Sequence, residues 1–217
     1  MASQLTVVTP PATEPLTLSE AKLHLRITDT DQDDHITDCI VASRDYLEKT
    51  QNRAYFLQTL RYRLDSFPDL PNATLKFFIP TYSVESYLAR AISLMSGPIL
   101  LPRPPLIAVT GITYIDQSGV LQTLSPSLYI VDKDAEPARI APAQNQPWPV
   151  TLAQQASVNV TYTAGYTPAT LPASIKHLLK LMVSELFEFR EPFTDTMIRE
   201  VATKSSLFWV DRVLEIP

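Results

Sequence analysis

The apolar residues of this chain change period twice, and that double change constrains the fold more than any other feature of the sequence. From Leu18 to about Arg53 they recur at helical spacing, from Leu57 to Thr163 they mostly alternate, and after Pro172 the helical spacing returns. A 3.6-residue period and a two-residue period bury different sides of the backbone, so neither kind of segment can be built as the other. The expected fold class is α+β: a helical bundle formed by N- and C-terminal helices, with an intervening antiparallel β domain that carries an inserted helix. In ranges, this reads as an extended arm over 1–16, a helical domain over 17–56 and 172–190, and a β domain over 57–171. The inserted helix falls at 84–95, and a C-terminal tail with a short helix occupies 191–217.

Local signals set these limits. The prolines of TPPATEP fix their own φ and bias their predecessors away from helix, which gives the arm. Thr17 and Glu20 form a capping box, with Leu16 placed as the outer half of a hydrophobic staple, so a helix should run from Leu18 to about Leu25. A second runs from about Asp31 to Arg53 with Ile36, Ile40 and Leu47 on one stripe and Cys39 and Tyr46 beside it. Ile107 to Ile115 and Val120 to Leu124 flank Asp116-Gln117-Ser118-Gly119, a hairpin turn, and Ser157 to Thr163 alternates through Val158, Val160 and Tyr162. Val84, Tyr87, Leu88, Ala91, Ile92 and Met95 recur at helical spacing before Gly97-Pro98, and that stripe fits either packing on the sheet or a subunit contact.

The late helix is apolar on two sides. Ile175, Leu178, Leu179, Met182, Leu186 and Phe189 make one face, while Leu181, Val183 and Phe187 make another. Two apolar faces need two sets of neighbours, which makes Leu181, Val183 and Phe187 candidates for a contact with another subunit. Leu207, Phe208, Trp209, Val210, Val213 and Leu214 then place a dense apolar patch near the end of the chain, where residues are usually polar unless something holds them.

Composition removes several classes of function. The only glycines are Gly97, Gly111, Gly119 and Gly165, and their spacing fits no dinucleotide, P-loop or serine-hydrolase motif. Net charge is −5 and no two of the Lys and Arg residues are adjacent, so the chain lacks an electrostatic footprint for gripping phosphates. Cys39 is the single cysteine, and no charged-then-apolar leader opens the chain, so synthesis in a reducing cytoplasm is expected. Apolar runs fall far short of the roughly 20 residues that a helix needs to cross a bilayer, and no membrane is expected.

The remaining chemical candidates weigh little. DTDQDDHITD resembles a calcium loop counted from Asp29, but its sixth position is Asp34 instead of glycine and its twelfth is Ile40 instead of glutamate. Acids at the positive end of a helix account for it better. His35 and Cys39 sit at i and i+4, two ligands where zinc wants four and a nucleophile and base without an orienting group. Glu185 and Glu188 are neighbours on one helix, not carboxyls across a cleft. Arg61 and Arg63 share one strand face and Tyr62 takes the other, which reads as strand-surface charge. No catalytic residue, cofactor or metal is assigned, and the chain reads as no enzyme. The rival from another class is a small-ligand or carbohydrate-binding module, with Trp148, Tyr162 and Tyr166 as an aromatic platform on the β domain.

Several strings, in this order, resemble the head-tail connector (adaptor) family of long-tailed bacteriophages and gene transfer agents. They are PLTLSEAKLHLRI from Pro15 to Ile27, DYLEKTQNRA from Asp45 to Ala54, QTLRYRLDSFP from Gln58 to Pro68, LPRPPL from Leu101 to Leu106, YIVD from Tyr129 to Asp132, WP at Trp148 and Pro149, and VTYTAGY from Val160 to Tyr166. The resemblance implies a structural virion protein made in the bacterial cytoplasm and placed at the head-tail interface. It implies a dodecameric ring, built by the helical domain, that docks under the portal protein, extends the DNA channel and offers a surface to a stopper or tail-completion protein. DNA would pass without sequence-specific binding. It also implies that the C-terminal segment reaches the portal, which makes Leu207, Phe208, Trp209, Val210, Val213 and Leu214 the portal-binding candidates. The 72–98 stretch departs from the family pattern as an addition.

Overall fold

A computed structural model describes residues 3–68, 97–144 and 146–188 of the chain. The expected inserted helix at 84–95 and the apolar patch from Leu207 to Leu214 lie outside the described residues. Among those residues there are three α-helices and two sheets, each with antiparallel pairing, an α+β fold. The chain divides into two compact units, one of strands and one of helices.

The strand unit takes its described residues from 3–9, 59–68, 97–102 and 106–163. Its elements are β1 (Ser3–Thr9), β2 (Gln58–Leu64), β3 (Ile99–Leu101), β4 (Leu106–Ile115), β5 (Leu121–Thr123), β6 (Tyr129–Asp132), β7 (Ala138–Pro142) and β8 (Val158–Ala164). Five of them form a sheet in the order β1-β2-β8-β4-β5, and three form another in the order β3-β7-β6. β8 lies in the middle because its alternation is the cleanest: Val158, Val160, Tyr162 and Ala164 are buried, with half-buried residues between them. The β4-β5 turn is held by Asp116, whose carboxylate accepts from the Gln122 side-chain amide and from the Val120 and Ser118 backbone amides, each at 2.9 Å. Those bonds, that of Gln122 foremost, hold the Asp116 carboxyl below its usual range. Gly119 supplies the positive φ of 80° that the turn requires.

The first residues differ from expectation. Ser3–Thr9 is no loose arm but a strand, antiparallel to β2 with Leu5 opposite Tyr62 and Val7 opposite Leu60. Most of its residues are exposed and none is fully buried, so no hydrophobic alternation marks the strand in the sequence. Pro10 and Pro11, which lack an amide proton to donate, follow its end.

An aromatic group packs the strand unit. Trp148 stacks on Phe67 with centroids 4.8 Å apart, Tyr114 meets Phe67 edge-on at 5.8 Å, and the Trp148 indole N–H donates to the Gly97 carbonyl at 2.9 Å. Trp148→Phe keeps the stacking but orphans that buried carbonyl. It is expected to cost about 1–3 kcal/mol, read as a lower urea midpoint.

The helical unit contains α1 (Leu18–Leu25), α2 (Asp33–Gln51) and α3 (Ala173–Glu188). Its capping box forms as the sequence requires: Glu20 N–H donates to Thr17 Oγ1 at 3.3 Å and Thr17 N–H to Glu20 Oε2 at 3.1 Å. Arg26 and Asn52 end α1 and α2 in the left-handed region. Leu16, Ala21, Ile36, Cys39, Ile40 and Val183 make one buried cluster, and Leu47, Tyr55, Ile175, Leu178, Leu179 and Met182 another. Burying each of the larger side chains contributes roughly 1.5–3 kcal/mol. Lys22 bridges to Asp33 at 2.6 Å, linking α1 to the first turn of α2.

Candidate functional site

Within the helical unit, three of the family-like strings meet where α2 ends. Asn52, at φ 52°, turns the chain and returns its N–H to the Glu48 carbonyl. Ala54 N–H then donates to the Pro104 carbonyl at 3.0 Å, and Gly165 N–H to the Pro105 carbonyl at 2.9 Å. Gly165 itself stands at φ +113°, where a Cβ would lie 2.1 Å from the Phe56 carbonyl oxygen. DYLEKTQNRA, LPRPPL and VTYTAGY are thus three strands of one backbone knot.

At its centre sits Glu48, 2% exposed. Oε1 accepts from the Tyr55 N–H at 2.7 Å and the Gln58 side-chain amide at 2.8 Å, and Oε2 from an Arg44 guanidinium nitrogen at 3.2 Å. Arg44 Nε also donates to Glu14 at 2.7 Å. Burial works against the Arg44 charge, yet Glu14 and Glu48 together raise its pKa above the ordinary arginine value. Nearby, Tyr55 donates its hydroxyl to Gln51 and Arg53 donates to the Tyr166 hydroxyl at 2.8 Å. Every oxygen of Glu48 is turned inward onto a donor of its own fold. This is a buried scaffold, with a carboxylate placed to organise backbone instead of a reactant.

The other chemical candidates are likewise held within the fold. Cys39 Sγ lies 3.9 Å from His35 Nε2, and the His35 ring packs on Phe187 at 5.6 Å. Asp33, one of the acids in the calcium-like stretch, is bridged to Lys22. The aromatic platform does not form. Trp148 and Tyr162 are buried, with Tyr162 donating to the Pro102 carbonyl at 2.6 Å, and the Tyr166 hydroxyl is held by Arg53. A stacking surface needs open ring faces, which two of the three lack.

For an assembly protein the surfaces matter more. Of the three subunit-contact candidates, Val183 is 1% exposed inside the first helical cluster, so it meets residues of its own chain. Phe187 is half-buried against that cluster, and Leu181 is half-buried. The portal-binding candidates lie outside the described residues. Tyr46, expected beside the buried stripe of α2, is instead 53% exposed, and two exposed apolar residues escaped the sequence reading, Leu23 at 80% and Val41 at 40%. Their signal was apolar character on the polar side of an amphipathic helix, visible only once the buried stripe is fixed.

Residues 15–120 match the family described as Phage gp6-like head-tail connector protein. That segment belongs to the head-tail connector family. The matched segment carries α1, α2 and the strands β2 to β4, and so most of the residues around Glu48. Solved structures extend the likeness in fold across the length of the chain. A chain from the neck of an empty gene transfer agent particle computed with C6 symmetry superposes with a TM-score of 0.72 at 17% identity, covering 99% of this chain and 97% of that one. A chain of the virion of a native gene transfer agent particle gives 0.71, and one from the native neck computed with C12 symmetry gives 0.64, at the same identity and coverage. At that identity these likenesses establish the fold. Among curated protein sequences no match is found. The connector family is a structural one, in keeping with a centre that organises backbone.

Proposed function

We propose that this connector is a virion protein of the head-tail interface, forming a dodecameric ring that docks under the portal, extends the DNA channel and presents the attachment surface for a stopper or tail-completion protein. The observation that carries the reading is the family match over residues 15–120, supported by the fold's likeness to chains of symmetric gene transfer agent necks. In this reading α1, α2 and α3 form the bundle of N- and C-terminal helices that builds the ring, and Leu207, Phe208, Trp209, Val210, Val213 and Leu214 reach the portal. The net charge of −5, without a basic run, suits a wall that lets DNA pass without trapping it. Buried surplus apolar surface lies between copies and against the portal.

The test is co-expression with the portal protein of the same particle, followed by mass measurement and imaging of the complex. The expected result is a closed ring of connector chains on the portal, lost on truncation after Ser205 while the truncated chain keeps its circular dichroism. A chain that never co-purifies with portal or particles would refute the reading.

A further inference from the structure

The strand β1 is held to its sheet largely by backbone. Its register with β2 runs from Ser3 opposite Leu64 to Thr9 opposite Thr59, with a shift between Val7 and Thr9. β2 buries Gln58, Leu60 and Leu64, whereas β1 buries no residue fully: Leu5 and Thr6 are half-buried, and Val7 and Val8 stand exposed. Thr6 Oγ1 adds a hydrogen bond to the Arg61 carbonyl at 3.3 Å. The attachment is therefore exact in register and poor in burial.

The next firm anchor is at Glu14, which accepts from Arg44 Nε at 2.7 Å, followed by buried Pro15 and Leu16 and by the Thr17 cap of α1. Between ladder and anchor lie Pro10, Pro11, Ala12 and Thr13, half-buried at Pro11 and exposed at the rest. Paired prolines keep such a segment extended and stiff, at about 3.1 Å per residue. A flexible hinge holds a strand at high local concentration beside its own slot, which favours return to the same chain. A short stiff hinge gives up part of that advantage.

Resting on the ring reading above, we propose that neighbouring copies in the ring exchange β1: Ser3–Thr9 of each copy lies along β2 of the next, with Pro10 to Thr13 as the crossing hinge. The pairing itself names the occupant of the slot, because this very sequence fits β2 residue by residue. Exchange rebuilds the same contacts between chains, so it needs no new complementary surface; only the hinge changes. A copy that gives its strand forward receives one from behind, which is the heterologous kind of contact that closes a ring. An isolated chain fills β2 with its own strand. In the ring, each copy is tied to its neighbour by a seven-residue ladder.

Register partners report which chain a strand belongs to. Gln4 with Arg63 and Leu5 with Tyr62 are successive pairs, and such pairs alternate between wider and narrower Cα spacing, so one of the two suits a disulfide. Each pair is replaced by cysteines (Q4C with R63C, or L5C with Y62C) in a full chain in which Cys39→Ala removes the native thiol. Folding is checked by circular dichroism. The chains are co-expressed with the portal protein of the same particle, oxidised, and run denatured without reductant. The expected result is a covalent ladder rising one chain at a time, which reduction collapses to a single band. Two chains that carry one cysteine of the pair each should likewise join when co-expressed. Disulfides confined to the monomer band, with the connector still ringed on the portal, overturn the exchange and leave the ring reading standing. A dimer and nothing larger also overturns it, since that is a reciprocal swap between two copies. Failure of both pairs to form any disulfide contradicts the register and overturns it as well. A chain that forms no ring on the portal removes the exchange and the ring reading together.

Discussion

Gly165→Ala is expected to destabilise the protein by about 4 kcal/mol or more, enough to leave little of it folded. Two penalties fall on one atom. A φ of +113° is strained for any residue with a side chain, at about 1–3 kcal/mol. The new Cβ would also stand 2.1 Å from the Phe56 carbonyl oxygen and 2.9 Å from the Leu57 nitrogen, and both neighbours are backbone, which cannot swing aside. Relief requires moving the segment between α2 and β2, and with it the Gly165 to Pro105 and Ala54 to Pro104 hydrogen bonds. Gly111→Ala is the matched control. It has nothing within 4 Å of its Cβ position and no positive φ, so its effect should stay within about 0.5 kcal/mol. Urea unfolding of both variants checks the contrast, and a Gly165→Ala protein as stable as the control would refute the account of the knot.

The capping box, the Asp116 turn and the alternation of β8 were legible because each is written in residues close together in sequence. Thr17 with Glu20 and Asp116 with Gly119 are local bargains between a side chain and nearby amides. β1 was hidden for a physical reason: no residue of this strand is fully buried, so Ser3–Thr9 carries no periodic signal, and only its pairing with β2 defines it. The Glu48 centre was invisible for another. Within DYLEKTQNRA the sequence offers Glu48 as one more helical acid beside Lys49, and nothing local says that Tyr55 and Gln58 turn back onto it. The candidate contacts fared similarly. Leu181, Val183 and Phe187 were grouped as one face of α3, but residues two apart on a helix point in different directions, and Val183 fills the cluster with Leu16 and Ile36, since periodicity reports burial without naming the partner.

Glu48→Ala is the second large effect, expected at about 3–5 kcal/mol. The substitution leaves the Arg44 guanidinium buried with Glu14 alone, and it deprives the Tyr55 N–H and the Gln58 amide of their acceptor in a place water does not reach. Glu48→Gln separates charge from shape. Its oxygen can still receive Tyr55 and Gln58, but its NH2 then faces the Arg44 donor, so a smaller loss of about 2 kcal/mol is expected. A double-mutant cycle with Arg44→Met isolates the pair. If the carboxylate acts through Arg44, the double variant should be less unstable than the sum of the singles by about 1–3 kcal/mol. Additive losses would mean that Glu48 serves only the turn at Tyr55.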